Sequence, residues 1–205
     1  MKGKGDIVRR LLVAAVLLLA PAAAHAQVAW DTPLLVAPRE PAGWGLYLAE
    51  TSGGGVGVIG TWRSPAWNFG VRAGLADARN DVGILVGMDF EGALVNESPD
   101  FPMDVDYMFG AGIGTGDGAR ISLPAGIILG HTFPAEGATF TPYVSPRVVL
   151  DAFLNRDTNP EDESDAKLGF AVDLGLDLRL AATGFLIRFG ATIGDRDGVA
   201  LGLVF

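Results

Sequence analysis

The chain contains no cysteine, so neither a disulfide framework nor a thiol nucleophile is open to it. Histidine is nearly as scarce, with two in 205 residues. Only His131 lies beyond the amino-terminal segment, which removes most acid–base and Ser-His chemistry. There is no GxSxG nucleophile elbow either. Past residue 26 no run of about 18 apolar residues occurs, and this excludes a helical membrane span. Basic residues are outnumbered 15 to 24, which argues against nucleic acid or an anionic membrane surface as a partner.

What is present begins with a leader. Lys2, Lys4, Arg9 and Arg10 precede the apolar run "LLVAAVLLLA", and "AHA" precedes Gln27. This is the pattern of a secretory signal cleaved after Ala26. Its removal leaves 11 basic against 23 acidic residues, a formal charge of −12. Residues 27–42, "QVAWDTPLLVAPREPA", hold three prolines and no clear period, and read as an N-terminal extension.

From Gly43 the chain alternates. "LGFAVDLGLDLRL", residues 168–180, places an apolar side chain at every second position, with small or charged ones between. Ten such segments can be drawn at about 43–50, 55–63, 67–77, 82–91, 103–114, 119–133, 139–154, 166–181, 184–194 and 198–205. Turn-rich separators such as "ARND", "TGDG" and "DRDG" divide them. The period of two and the segment lengths predict an all-β domain over 43–205. The expected architecture is an antiparallel up-and-down transmembrane β-barrel of about ten strands, with eight as the alternative count. An even number brings both chain ends to one side.

Parity assigns the faces. Residues such as Val58, Leu75, Val86, Phe109, Ile127, Leu174 and Leu201 share an outward face without charge. The other face carries Arg63, Arg72, Asp89, Glu91, Asp104, Asp106, Arg147, Asp151, Lys167, Asp173, Asp177, Arg179 and Arg188, six basic against seven acidic residues. Such balance predicts mutual pairing that plugs a narrow lumen, because unpaired buried charge is costly. Trp44, Trp62, Trp67, Phe133, Phe140 and Phe185 fall at strand ends on one side, the pattern of an interfacial aromatic girdle. Period alone also permits a soluble periplasmic lipocalin-like binding barrel with its faces exchanged, and a polar lumen permits a small passive channel.

Two further stretches carry a resemblance. The chain closes on "GVALGLVF", a final phenylalanine preceded by apolar residues at every second position. This is similar to the carboxy-terminal assembly signal of bacterial outer-membrane barrels, and "FTPYVSPRVVLD" resembles strand openings of the broad outer-membrane β-barrel domain family. The resemblance implies a porin-like location in the outer membrane of a Gram-negative-type bacterium, contact with outer-membrane lipid, and delivery by the barrel assembly machinery with Phe205 as its signal. It implies no particular activity.

Other motifs yield little chemistry. "GAGIGTGDG", residues 110–118, looks like a phosphate loop, yet "ARISLPAGIILG" behind it reads as a strand, so its glycines are expected to relieve crowding in the lumen. Asp104 and Asp106 lack a cleft for glycosidase-like work. The acidic loop "NRDTNPEDESD", residues 155–165, fails the EF-hand pattern at Asp162 and Leu168, so no metal is expected there. No cofactor motif occurs. Pro124, Pro142 and Pro146 interrupt predicted strands, and Pro146 is expected to mark a bulge. The role expected from sequence is therefore structural or interactive, without enzymatic activity.

Overall fold

The computed structural model describes residues 30–51, 55–78, 81–116, 118–154 and 166–205. The leader and the 155–165 loop, with its rejected calcium pattern, lie outside the described residues. Among the described residues there is no helix. The strands are β1 (Gly43–Thr51), β2 (Gly55–Arg63), β3 (Phe69–Ala78), β4 (Asp81–Val95), β5 (Asp104–Gly116), β6 (Gly118–Gly130), β7 (Phe133–Ala135), β8 (Ala138–Leu154), β9 (Ala166–Leu180), β10 (Leu186–Gly194) and β11 (Gly198–Val204).

Apart from the short β7, each strand pairs antiparallel with its neighbours along the chain, β6 pairs with β8, and β1 pairs with β11 to close the ring. Ten strands therefore form a closed up-and-down barrel. The three-residue β7 pairs with β8 alone and only lengthens that hairpin beyond the wall. Closure leaves the sheet no free edge, which suits a chain without disulfides. Gly43 and Phe205 meet at one mouth, joined by reciprocal 2.8 Å backbone hydrogen bonds between Trp44 and Phe205. We call this the near mouth. Strands β1, β3, β5, β8 and β10 end at the opposite, far mouth, where the β10–β11 turn also lies.

The prolines act differently from expectation. The β8–β9 register is unbroken from Ala138↔Leu180 to Ala152↔Ala166, so Pro146 makes no bulge. Its missing N–H shows instead on the other side. There the β6–β8 pairing lapses at Ile127 and Ile128, between Gly126↔Arg147 and Leu129↔Val144, and resumes in the same register. A similar lapse flanks Pro124 on the β5–β6 side, between Phe109↔Ala125 and Gly112↔Ser122. The ladder loses bonds there and keeps its alignment. The register shift that does occur lies at Ala93/Val95 in β4. Because β4 runs on to Val95, four residues past the predicted boundary at 91, the connection to β5 shortens to residues 96–103, which hold a turn closed by Ser98 and Phe101.

Alternation sorts the side chains as parity predicts. Large apolar side chains stand exposed at outward positions on every wall strand, among them Leu48 at 64%, Leu168 at 67% and Leu201 at 57% exposure, while Glu50 and Asp77 share that parity at the far ends of β1 and β3. Inward positions are buried and mixed in character. Tyr47, Ile59, Leu85, Met108, Ile128 and Leu186 form an interior apolar cluster alongside the charges. The exposed aromatics Trp44, Phe133, Phe140, Phe185 and Phe205 all lie toward the near mouth, joined there by the partly exposed Trp62. Trp44 and Trp62 are cross-strand partners 6.3 Å apart. Trp67 stands in the β2–β3 turn, not in a strand.

Residues 30–42 are not an external extension. They run through the lumen as an aperiodic strap, and Trp30 through Pro38 are all buried. Trp30, Leu34, Leu35, Val36 and Ala37 complete the interior cluster.

Candidate functional site: a lumen that grips its own chain

An extended peptide inside a barrel cannot join the wall's ladder, so its amides and carbonyls need other partners. The inward charges supply them. Near the far mouth Arg196, in the β10–β11 turn, reaches the Trp30 carbonyl at 3.1 Å, Asp31 at 2.8 Å and Asp151 at 2.5 Å. Arg120 of β6 also pairs with Asp31, and Ser122 donates to Asp151. In mid-lumen Arg147 binds Asp173 through Nε at 2.6 Å and Nη2 at 3.2 Å, then donates to the carbonyls of Trp30 at 2.9 Å and Thr32 at 3.2 Å. Asp173 in turn accepts the Leu34 amide at 3.0 Å and the Thr192 hydroxyl at 2.5 Å. Arg72 donates to the Leu34 carbonyl at 2.5 Å and lies 4.0 Å over the Trp30 ring.

The same pattern continues to the near mouth. Arg188 pairs with Asp177 at 2.6 and 2.7 Å, with Glu40 at 2.7 Å, and with the Leu35 carbonyl at 2.5 Å. The amides of Arg39 and Glu40 donate to Asp106 and Glu91 at 2.9 and 3.2 Å. The Arg39 side chain, largely exposed, reaches Asp104 at 2.7 Å. Arg63 pairs with Asp89 and lies 3.5 Å from Glu91. Arginines thus take carbonyls and carboxylates take amides, along the whole strap. Leu35 and Arg39 hold left-handed φ values of 56° and 54°, which turn the strap between walls. A bulky residue adopts that region at a cost of about 1–2 kcal/mol, offset here by the charged partners.

Side-chain recognition is confined to a few points. Gly110 and Gly112 form a notch for the Trp30 indole: a Cβ on Gly112 would lie 2.6 Å from its Nε1. Gly190 stands against Pro33, where a Cβ would approach 3.0 Å. Gly110 and Gly112 of β5 therefore make room for the strap, and the residues after Gly118 form strand β6 where a phosphate loop would need a helix.

Of the inward charges predicted from sequence, Arg63, Arg72, Asp89, Glu91, Asp104, Asp106, Arg147, Asp151, Asp173, Asp177 and Arg188 are buried in this network. Lys167 and Arg179 are not: both are exposed, at the far and near ends of β9, because parity fixes a side chain's face and not its depth. Mutual pairing also proves incomplete as an account, since much of the arginines' donor capacity goes to strap carbonyls. Sequence reasoning missed Arg120, Arg196, Asp31 and Glu40. Arg120 shares parity with Ser122 and was open to the same logic, while Arg196 sat in a "DRDG" separator. His131 lies just past β6, with Nδ1 3.2 Å from Glu97 and its ring edge-on to Phe133 at 4.4 Å, far from the strap.

Little space is left. A cleft at the near mouth lined by Leu35, Glu40, Arg63, Arg72 and Asp89 has room for about one water molecule. Fold and lumen together define a closed ten-stranded antiparallel barrel filled by its own amino-terminal segment. No protein-family model, curated protein or solved structure matches the chain.

Proposed function

We propose that this is an outer-membrane barrel with a structural or interaction role, whose lumen is closed by the strap and the charges that hold it. The observation that carries the reading is the inverted surface. Large apolar side chains cover the outside of every wall strand, while most of the arginines and carboxylates of the wall, among them Arg72, Arg147, Arg188, Asp89, Asp173 and Asp177, are buried inside. A water-soluble lipocalin-like barrel has the opposite arrangement, and so large an apolar surface calls for lipid. The exposed aromatics gathered toward one mouth fit an interfacial girdle.

The filled lumen favours a closed barrel over a passive channel. Export through a cleaved leader and delivery by the assembly machinery follow from the sequence resemblance and belong to the same proposal. Electrophoresis of the membrane fraction with and without boiling tests it, comparing the intact chain with one lacking Phe205. The expected result is a faster unheated band that weakens when Phe205 is removed. A protein recovered without detergent, with no heat shift, would sink the membrane reading.

A further inference from the structure

The strap enters β1 at the near mouth, so its other end must leave somewhere. Three observations fix the direction. Trp30 and Asp31 are held by Arg196, which sits in the β10–β11 turn at the far mouth. Asp31 is also held by Arg120, two residues after the start of β6 at that same mouth. The Asp31 carbonyl lies 3.8 Å from where a Cβ on Gly198 would stand, at the first residue of β11. Later strap residues descend in order: Leu34 to Asp173 and Arg72, Leu35 to Arg188, Arg39 to Asp104 and Asp106.

Among the described residues the strap is closely enclosed. Nine consecutive strap residues are buried, and the remaining near-mouth cleft is water-sized. We infer that the chain enters the lumen at the far mouth, beside Trp30 and opposite Phe205, and crosses to the near mouth as the strap, so that the wall encloses a full crossing of the segment that precedes it. If the protein spans the outer membrane with the two ends of its wall, Gly43 and Phe205, on the periplasmic side, the far mouth opens to the cell exterior, and the chain's entry to the lumen is displayed there. That last clause rests on the membrane reading above; the opposite-mouth placement does not.

A chain without cysteine makes the test direct, because the introduced thiols are the only ones present. Spin labels on Gln27→Cys paired with Asp197→Cys in the far turn, or with Ala182→Cys in the near turn, report distances in the purified full-length protein. The 27–197 distance is expected to be the shorter, by roughly the height of the wall, about 25 Å. A shorter 27–182 distance overturns the threading. In whole cells, a membrane-impermeant maleimide is expected to label Gln27→Cys and Asp197→Cys together, and Ala182→Cys only after permeabilisation. Labelling of Gln27→Cys in step with Ala182→Cys overturns surface display. Equal labelling of all three in a protein free of the membrane overturns the membrane reading and with it surface display, and the spin-label distances still decide the threading.

Discussion

Arg188 and Asp177 meet across β10 and β9 in a two-pronged ion pair of 2.6 and 2.7 Å, and the same guanidinium reaches beyond its partner to the Leu35 carbonyl at 2.5 Å. Wall pairing and strap binding are thus one network. A carboxylate that orients its arginine also aims that arginine's spare donors at the chain inside the barrel.

Asp173 is the most connected of these carboxylates, accepting from Arg147, Leu34 and Thr192. Asp173→Ala leaves the Arg147 guanidinium buried without its counter-ion and is expected to cost about 3–5 kcal/mol. Thr192→Val removes one donor among several and is expected to cost about 1 kcal/mol. Urea midpoints of the two variants check the order. Equal losses would mean that Asp173 does not orient Arg147.

Trp30 and Gly112 test the notch. Trp30→Ala empties a fully buried site and is expected to cost about 3–5 kcal/mol. Gly112→Ala pushes a methyl group into the indole and is destabilising by itself. In the double variant the methyl group enters vacated space, so the combined loss is expected to fall below the sum of the two. A thermal-melt cycle measures the coupling, and simple additivity would place the indole elsewhere.

Leu174 faces outward midway along β9, at 45% exposure. Leu174→Arg is expected to cost about 2–4 kcal/mol when the protein is refolded into lipid vesicles, because the guanidinium would sit in hydrocarbon. In a barrel surrounded by water the same change would be close to neutral. Refolding equilibria in vesicles separate the two environments.

Deleting residues 27–42 distinguishes a core from a removable stopper. The deletion strips Asp31 from Arg120 and Arg196, strips Glu40 from Arg188, and removes five members of the interior apolar cluster. The expected outcome is loss of the unheated folded band and no steady current in planar bilayers. A folded barrel that conducts would show the strap to be dispensable to the wall.

The wall was legible because its evidence is periodic. Two-residue alternation placed Val58, Leu174 and Leu201 outside and Asp89, Arg147 and Asp173 inside. Strand ends were less so: Lys167 and Arg179 have inward parity but stand clear of the packed interior, and depth leaves no mark on a period. The strap was illegible for a related reason. "WDTPLLVAPREPA" takes its hydrogen bonds from side chains on distant strands, so no local repeat announces them, and its prolines read as those of a loop. Arg147 binds Trp30 across 117 residues of sequence.

Main-chain carbonyls are the same whatever residue carries them, so the arginine contacts at Thr32, Leu34 and Leu35 set little limit on the letters of the strap. Asp31 and Glu40 are held by their side chains. In descendants of this chain the strap's interior is accordingly limited by its apolar packing and by the Trp30 notch more than by the arginines, while an acid at 31 is expected to be inherited together with arginines at 120 and 196, and an acid at 40 together with an arginine at 188. Kinship within this lineage would be recorded in those distant matched pairs more durably than in any contiguous stretch of the segment.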